Sequence, residues 1–329
     1  MKKQKVISGI LAGSVMLVII LDSKTALTGM QEGIRLCMQT VIPSLFPFFL
    51  LSGLITTSML GQNMGLLKHL GKLCKIPVGS ESLLVTGFLS GYPVGAQLVS
   101  RAYKDGNLTK KDAAHMMGFC SNAGPAFLFG MLSPMFHNPL APWILWLIHI
   151  IGALSAAYLL PTKTSQSSIQ LKAKTTTITD ALQGAIRSMA LVCGWIVIFR
   201  VILAFCNRWF LWAFPAAIQV LLSGTLELSN GCILLNKIQQ EGLRFILASF
   251  MLSFGGSCVL MQTKSVTHEL GLGQYFPGKA IQTLMSTVLS CITQYALFNN
   301  ENIFPFHTSF LCALIIATAI VIYITRKKL

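Results

Sequence analysis

Apolar residues in this chain gather into long unbroken runs, not the short alternations of a soluble sheet or the one-sided stripes of a soluble helix. Six runs stand out, at 6–21, 38–60, 142–160, 188–206, 281–298 and 307–325. They approach or exceed the ~17–20 residues that a helix needs to cross a hydrocarbon core. Short alternating strands, the mark of a membrane barrel, are absent. The pattern predicts an all-α polytopic membrane protein.

Two further regions, 81–136 and 213–263, are apolar but broken by glycine, proline and polar residues. Each resolves into pieces of about ten residues, which at ~1.5 Å per residue reach only half-way across a bilayer. The first reads as a re-entrant hairpin, 81–103, with its tip at Ser90-Gly91-Tyr92-Pro93-Val94-Gly95. A span at 113–136 follows, broken at Cys120-Ser121-Asn122-Ala123-Gly124-Pro125. The second repeats the plan, with a hairpin at 214–240 tipped by Glu227-Leu228-Ser229-Asn230-Gly231. Its broken span, 243–263, is interrupted at Ser253-Phe254-Gly255-Gly256-Ser257-Cys258. Residues 1–22 form a first transmembrane helix, here expected to stay uncleaved. Residues 23–160 and 181–329 then form two repeats joined by a polar linker at 161–180. The stretch 23–37, with Leu27, Met30, Ile34 and Cys37 on one face, predicts an interfacial helix. Local echoes support the repeat: Gly33-Ile34-Arg35 matches Ala185-Ile186-Arg187, and Gly87-Phe88-Leu89 matches Gly224-Thr225-Leu226.

Charge decides how the halves are oriented. The net charge of +15 would suggest nucleic acid in a soluble protein, but these basic residues sit in short loops between apolar runs. With the N-terminus inside and each hairpin returning to its side of entry, five fall outside: Lys24, Arg35, Arg208, Lys237 and Arg244. Arg187 and Arg200 lie within or at the edge of a span, which leaves eighteen of the 25 inside. That asymmetry follows the positive-inside rule and turns the two hairpins to opposite sides, so the repeats are inverted. Only 11% of residues are charged, against roughly 25% in a soluble domain.

Broken helices free backbone groups that lipid cannot satisfy, so they must face protein, water or a ligand. Freed helix N-termini carry partial positive charge and suit an anionic solute. Paired breaks in two halves point to a transporter site. The candidate solute-binding residues are therefore Ser90, Gly91, Tyr92, Pro93, Gly95, Ser121, Asn122, Gly124, Pro125, Ser229, Asn230, Gly255, Gly256 and Ser257. Glu227 is the single carboxylate expected at membrane depth, a candidate for coupling to a proton or cation, or a structural partner of Arg200. Arg200 is expected to pair with Glu227, meet a solute carboxylate through its planar fork, or snorkel to an interface. Packing kinks are the plainer reading of the breaks.

Other chemistry is thin. Nine scattered cysteines and six histidines form no metal-ligand spacing, so neither metal nor cofactor is expected. Gly273-Gln274-Tyr275-Phe276-Pro277-Gly278-Lys279-Ala280 resembles a phosphate loop only superficially. Alanine stands where a magnesium-binding hydroxyl is needed and no strand precedes it, so it reads as a membrane-entry turn.

The runs Ile42-Pro43-Ser44-Leu45-Phe46-Pro47-Phe48-Phe49, Leu89-Ser90-Gly91-Tyr92-Pro93-Val94-Gly95-Ala96 and Ser121-Asn122-Ala123-Gly124-Pro125-Ala126-Phe127 resemble the YlbJ-type sporulation integral membrane proteins, of the nucleoside-recognition (Gate) domain group. The resemblance covers about residues 33–136 closely and the second half in layout. It implies a fold related to the repeat units of concentrative nucleoside transporters. It further implies a role in endospore formation, with movement of dipicolinic acid across a forespore membrane. The expected function is transport of a small polar or anionic solute across the bilayer, by a non-enzyme that binds no nucleic acid and is compatible with a homo-oligomer. The rival reading is a non-transporting scaffold or partner subunit of a sporulation assembly.

The topology is open to direct test. Both termini, the 61–80 and 104–112 loops and the 161–180 linker are expected on the cytoplasmic side. A Gln170→Cys probe in a cysteine-free background should react with an impermeant maleimide only after the cytoplasmic face is opened. Labelling from outside would overturn the inverted arrangement.

Overall fold

The computed structural model describes residues 2–59, 65, 67–162 and 177–298. The run 307–325, the basic tail at 326–328 and most of the 161–180 linker lie outside the described residues. All regular structure among the described residues is helical. Helices α1 (Lys2–Leu21) and α2 (Ser23–Leu36) come first. A widened π turn at Cys37–Val41 then fuses α2 to α3 (Ile42–Met59). That turn contains Gln39, four residues before Pro43, whose missing N–H leaves the Gln39 carbonyl without its regular partner and whose ring crowds it.

After α4 (Leu67–Leu73), α5 (Glu81–Ser90) and α6 (Val94–Lys104) fold back on one another. Next come α7 (Lys110–Met116), α8 (Pro125–Leu132) and α9 (Ala141–Leu159). Pro125 opens α8 where its missing N–H costs nothing. The 32-residue α10 (Ile178–Trp209) starts in a capping box between Thr177 and Asp180. Beyond it lie the pair α11 (Ala216–Leu226) and α12 (Leu228–Leu234), then α13 (Glu241–Phe254), α14 (Gly256–Thr267) and α15 (Tyr275–Leu297).

Four segments are long and apolar enough to cross a bilayer: Ser23–Ile55, Ala141–Leu159, Ile178–Trp209 and Glu241–Thr267. They form two walls. The α2–α3 helix packs along α10, while α15 packs between α9 and α13. Between the walls sit the two pairs of short helices, α5 meeting α3, α6 meeting α14, and α11 meeting α13 and α14.

The stretch 23–37 departs from the interfacial reading. It is the first part of the continuous helix through α3, and its Gly29 and Gly33 press directly on α10. A Cβ on either would lie 2.9 Å from the Cα of Val201 or Val197. Small residues four apart permit such close approach between membrane helices, where apolar burial gives no driving force between them. The 273–280 turn is also revised, because α15 already begins at Tyr275 and Lys279 is buried within it. Lys279 is thus not a loop charge; removing it leaves the charge asymmetry in place.

Each short pair closes on glycine. Gly87 lies against Gly95, and a Cβ on Gly95 would overlap the Cys120 carbonyl oxygen; Gly224 lies against Gly231 in the second pair. Gly95→Ala is therefore expected to destabilise by about 1–3 kcal/mol through overpacking. Gly184→Ala, in a helix with nothing within 4 Å of the new methyl, should be neutral or gain about 0.5–1 kcal/mol. Thermal midpoints of the purified variants check this, and equal midpoints would remove the tight closure as a structural requirement.

Candidate functional site

The first tip is the three-residue link Gly91-Tyr92-Pro93 between α5 and α6. Gly91 holds a left-handed φ of 82°, which a side chain would strain, and a Cβ there would sit 3.0 Å from the Gly124 nitrogen. The tip thus rests on the break between α7 and α8. The second tip is Glu227 alone, between α11 and α12. It rests on the break between α13 and α14, where a Cβ on Gly256 would lie 2.9 Å from the Gly224 carbonyl oxygen. Gly255 and Gly256 make that break with φ near 80°.

Side chains from elsewhere satisfy the freed backbone. The Tyr92 hydroxyl donates to the Leu252 carbonyl in the last turn of α13, at 2.6 Å. The Ala123 N–H donates to His149 Nε2 on α9 at 3.1 Å, and Asn122 donates to the Phe119 carbonyl at 2.6 Å. Glu227 accepts from the N–H groups of Ser229 (2.9 Å) and Asn230 (2.7 Å), capping α12 with both carboxylate oxygens. It is 2% exposed. Glu81 and Asp112 are buried carboxylates too, each in the first turn of a short helix.

The candidate residues divide. Gly91, Tyr92, Gly124, Glu227 and Ser229 line one cavity, with Val259 and Gln262 of α14 and Leu45 of α3 among its other walls. Its volume is about 30 Å³, room for a water or two. Ser90, Gly95, Ser121, Asn122, Pro125 and Asn230 are not among its lining residues, and all but Pro125 are buried. Pro93 begins the turn into α6. Gly256 and Ser257 face a different cavity, on the far side of α14 from Gln262.

Arg200 is not the ion-pair partner of Glu227. It pairs with Glu32 on α2 and donates to the Asn230 side chain on α12. Asn230, whose own N–H binds Glu227, bridges the two, so Arg200 ties the α2–α3 wall to the second tip.

A polar stripe on α15 was hidden in the apolar run 281–298. Lys279, Gln282, Ser286, Ser290 and Gln294 recur at helical spacing, and all are buried. Gln282 donates to Asn122 at 2.8 Å and accepts from Lys279 at 2.8 Å, joining α15 to the first break. The signal was present as polar residues three and four apart within a membrane-length helix, where each needs a partner.

No protein-family model matches the chain, and no solved structure matches it. Among curated proteins, the sporulation integral membrane protein YlbJ of Bacillus subtilis (strain 168) is 23% identical over 305 residues. The match covers 78% of this chain and 75% of that protein. The chain is a homologue of YlbJ and, with its membrane-length apolar helices, an integral membrane protein.

The Arg200 link predicts unequal effects on either side of it. Glu32 is half exposed, so Glu32→Gln should cost about 1 kcal/mol or less. Arg200→Gln loses both partners of a largely buried guanidinium and should cost about 1–3 kcal/mol. Equal thermal midpoints for the two variants would mean that Arg200 does not hold the second tip.

Proposed function

We propose that the protein is a membrane transporter of a small polar or anionic solute, built from two inverted repeats, with its solute site where the hairpin tips meet the helix breaks near mid-membrane. One observation carries this reading: tips from both halves, Gly91-Tyr92 and Glu227-Leu228-Ser229, line a single cavity with Gly124 of the first break. Glycine at Gly91 and Gly124 brings backbone to the cavity wall, and backbone dipoles there suit an anion or a polar solute. At about 30 Å³ the cavity is closed around less than a solute's volume. Loading therefore requires the tips to part, as alternating access demands.

A repeat is supported by the matching glycine closures, Gly87 with Gly95 and Gly224 with Gly231; its inversion rests on the charge asymmetry. Similarity to a sporulation integral membrane protein supports work in a membrane during sporulation; a forespore membrane, with both termini cytoplasmic, is the proposed location. The YlbJ-type resemblance makes dipicolinate the first solute to try; a nucleoside, from the Gate-domain likeness, is the second. Glu227 is the group proposed to take up a coupling proton or cation, because it is buried, lines the cavity and has no ion-pair partner among the described residues. The bilayer and the solute are its partners, with self-association open to the same preparations.

Uptake by purified protein in liposomes tests the reading. Wild type should accumulate the solute, and Gly91→Val should insert but lose uptake, since the branched side chain meets Gly124. Glu227→Gln should bind solute while losing the pH dependence of flux, because the amide keeps one acceptor and cannot titrate. A folded wild type without uptake of any candidate favours the scaffold reading. Unchanged pH dependence in Glu227→Gln would end the coupling role.

A further inference from the structure

A second cavity adjoins the tip site and is larger, about 530 Å³, within the size range of small-molecule pockets. Lys279 on α15 lines it and is 4% exposed. A buried ammonium is costly unless its charge and donors are met. Its Nζ donates to Gln282 Oε1 at 2.8 Å and lies 3.5 Å from the Tyr92 hydroxyl. The ring centroids of Tyr92 and Tyr275 lie 5.0 and 6.0 Å away. No carboxylate of the described residues lies within ion-pair distance. The Lys279 amine is met by an amide oxygen, a hydroxyl and ring faces, and by no carboxylate among the described residues.

Two further features share this cavity. Thr283, one turn along from Lys279, lines it with an Oγ1 that is buried and has no hydrogen-bond partner among the described residues. The 12-residue α14 begins at Gly256 and Ser257, both also in the lining, with the positive end of its dipole. The remaining walls are mainly apolar and include Phe250, Phe254 and Phe276. A buried lysine, an unpartnered hydroxyl and a helix N-terminus share the lining of one otherwise apolar cavity.

From this shared lining we infer that the Lys279 chamber is a binding site for a small organic carboxylate, whose anionic group meets Lys279, Thr283 and the start of α14 while its apolar body lies against the phenylalanines. The Tyr92 ring, in contact with Lys279 and lining the tip cavity, is then the partition between this chamber and the tip site. The inference deepens the transport reading and rests on it for the chamber's place on the solute path.

The test uses the full chain in phosphatidylcholine nanodiscs, with benzoate as probe and benzamide as its neutral isostere. Radiolabelled benzoate should bind saturably to wild type and be displaced by unlabelled benzoate but not by benzamide. Lys279→Gln should weaken binding at least tenfold, and Lys279→Arg should retain part of it. Thr283→Val, which leaves the charge in place, should weaken it several-fold and keeps the test open where Lys279→Gln fails to fold. Benzoate binding unchanged by both substitutions, or equal competition by benzamide, would overturn the inference. So would the absence of benzoate binding alongside Lys279-dependent stabilisation by phosphatidylglycerol, which would assign the site to a lipid headgroup. Flux in liposomes separates the two readings. Lys279-dependent binding without flux leaves the carboxylate site and removes transport, whereas wild-type flux of a carboxylate by Lys279→Gln leaves transport and removes the site.

Discussion

A helix interrupted inside a bilayer must find partners within the protein for every backbone N–H and C=O it frees, and the interior of this molecule is organised by that demand. At the first break, His149 of α9 accepts the Ala123 N–H and Asn122 folds back on the Phe119 carbonyl. At the second, Tyr92 of the first tip reaches across to the Leu252 carbonyl. At the second tip, Glu227 takes two N–H groups of its own following helix. Three of these four solutions use a short reach within the chain or a neighbouring wall. The Tyr92 bond alone crosses 160 positions and joins the first tip to the second break.

That crossing bond couples the halves. Movement of the first tip away from the second break exposes the Leu252 carbonyl, so the tip cannot leave without another donor taking its place. Water is one such donor. Arg200 performs a comparable service on the other side, holding Asn230 of the second tip to Glu32 of the α2–α3 wall. Both tips are thereby tethered through single polar contacts between otherwise apolar surfaces. Such contacts allow two discrete arrangements more readily than interdigitated apolar packing does.

The halves share a plan and divide the chemistry unequally. Glycine closes both hairpins and both tips rest on their own half's break. The first tip offers backbone and an aromatic hydroxyl, while the second offers a carboxylate. The buried lysine comes from neither tip but from α15, between the two breaks. An acidic group, Glu227, and a basic one, Lys279, therefore line separate cavities and form no ion pair with each other; Tyr92 lines the first cavity and touches Lys279.

The membrane class and the all-helical build were readable in the chain, because runs of apolar residues near twenty long have no other stable use. The interruptions at Gly91, Gly124 and Gly255 were readable too, since glycine and proline change backbone preference locally and need no tertiary information. The residues that answer those interruptions could not be read. His149, Gln282 and Lys279 sit on helices remote in sequence from the breaks they serve, and in a linear scan they look like isolated polar residues or loop charges. Arg200 was singled out correctly as unusual, yet its carboxylate partner is Glu32, 168 positions away, and not Glu227. Likewise Gly29 and Gly33 gained their meaning only when α10 was laid against them. The sequence by itself determined that long apolar helices run through the chain and where they are interrupted, since those are properties of local composition. Which side chain meets each freed backbone group, and where the buried lysine lies, was decided by helix packing, which brings distant residues within hydrogen-bond reach.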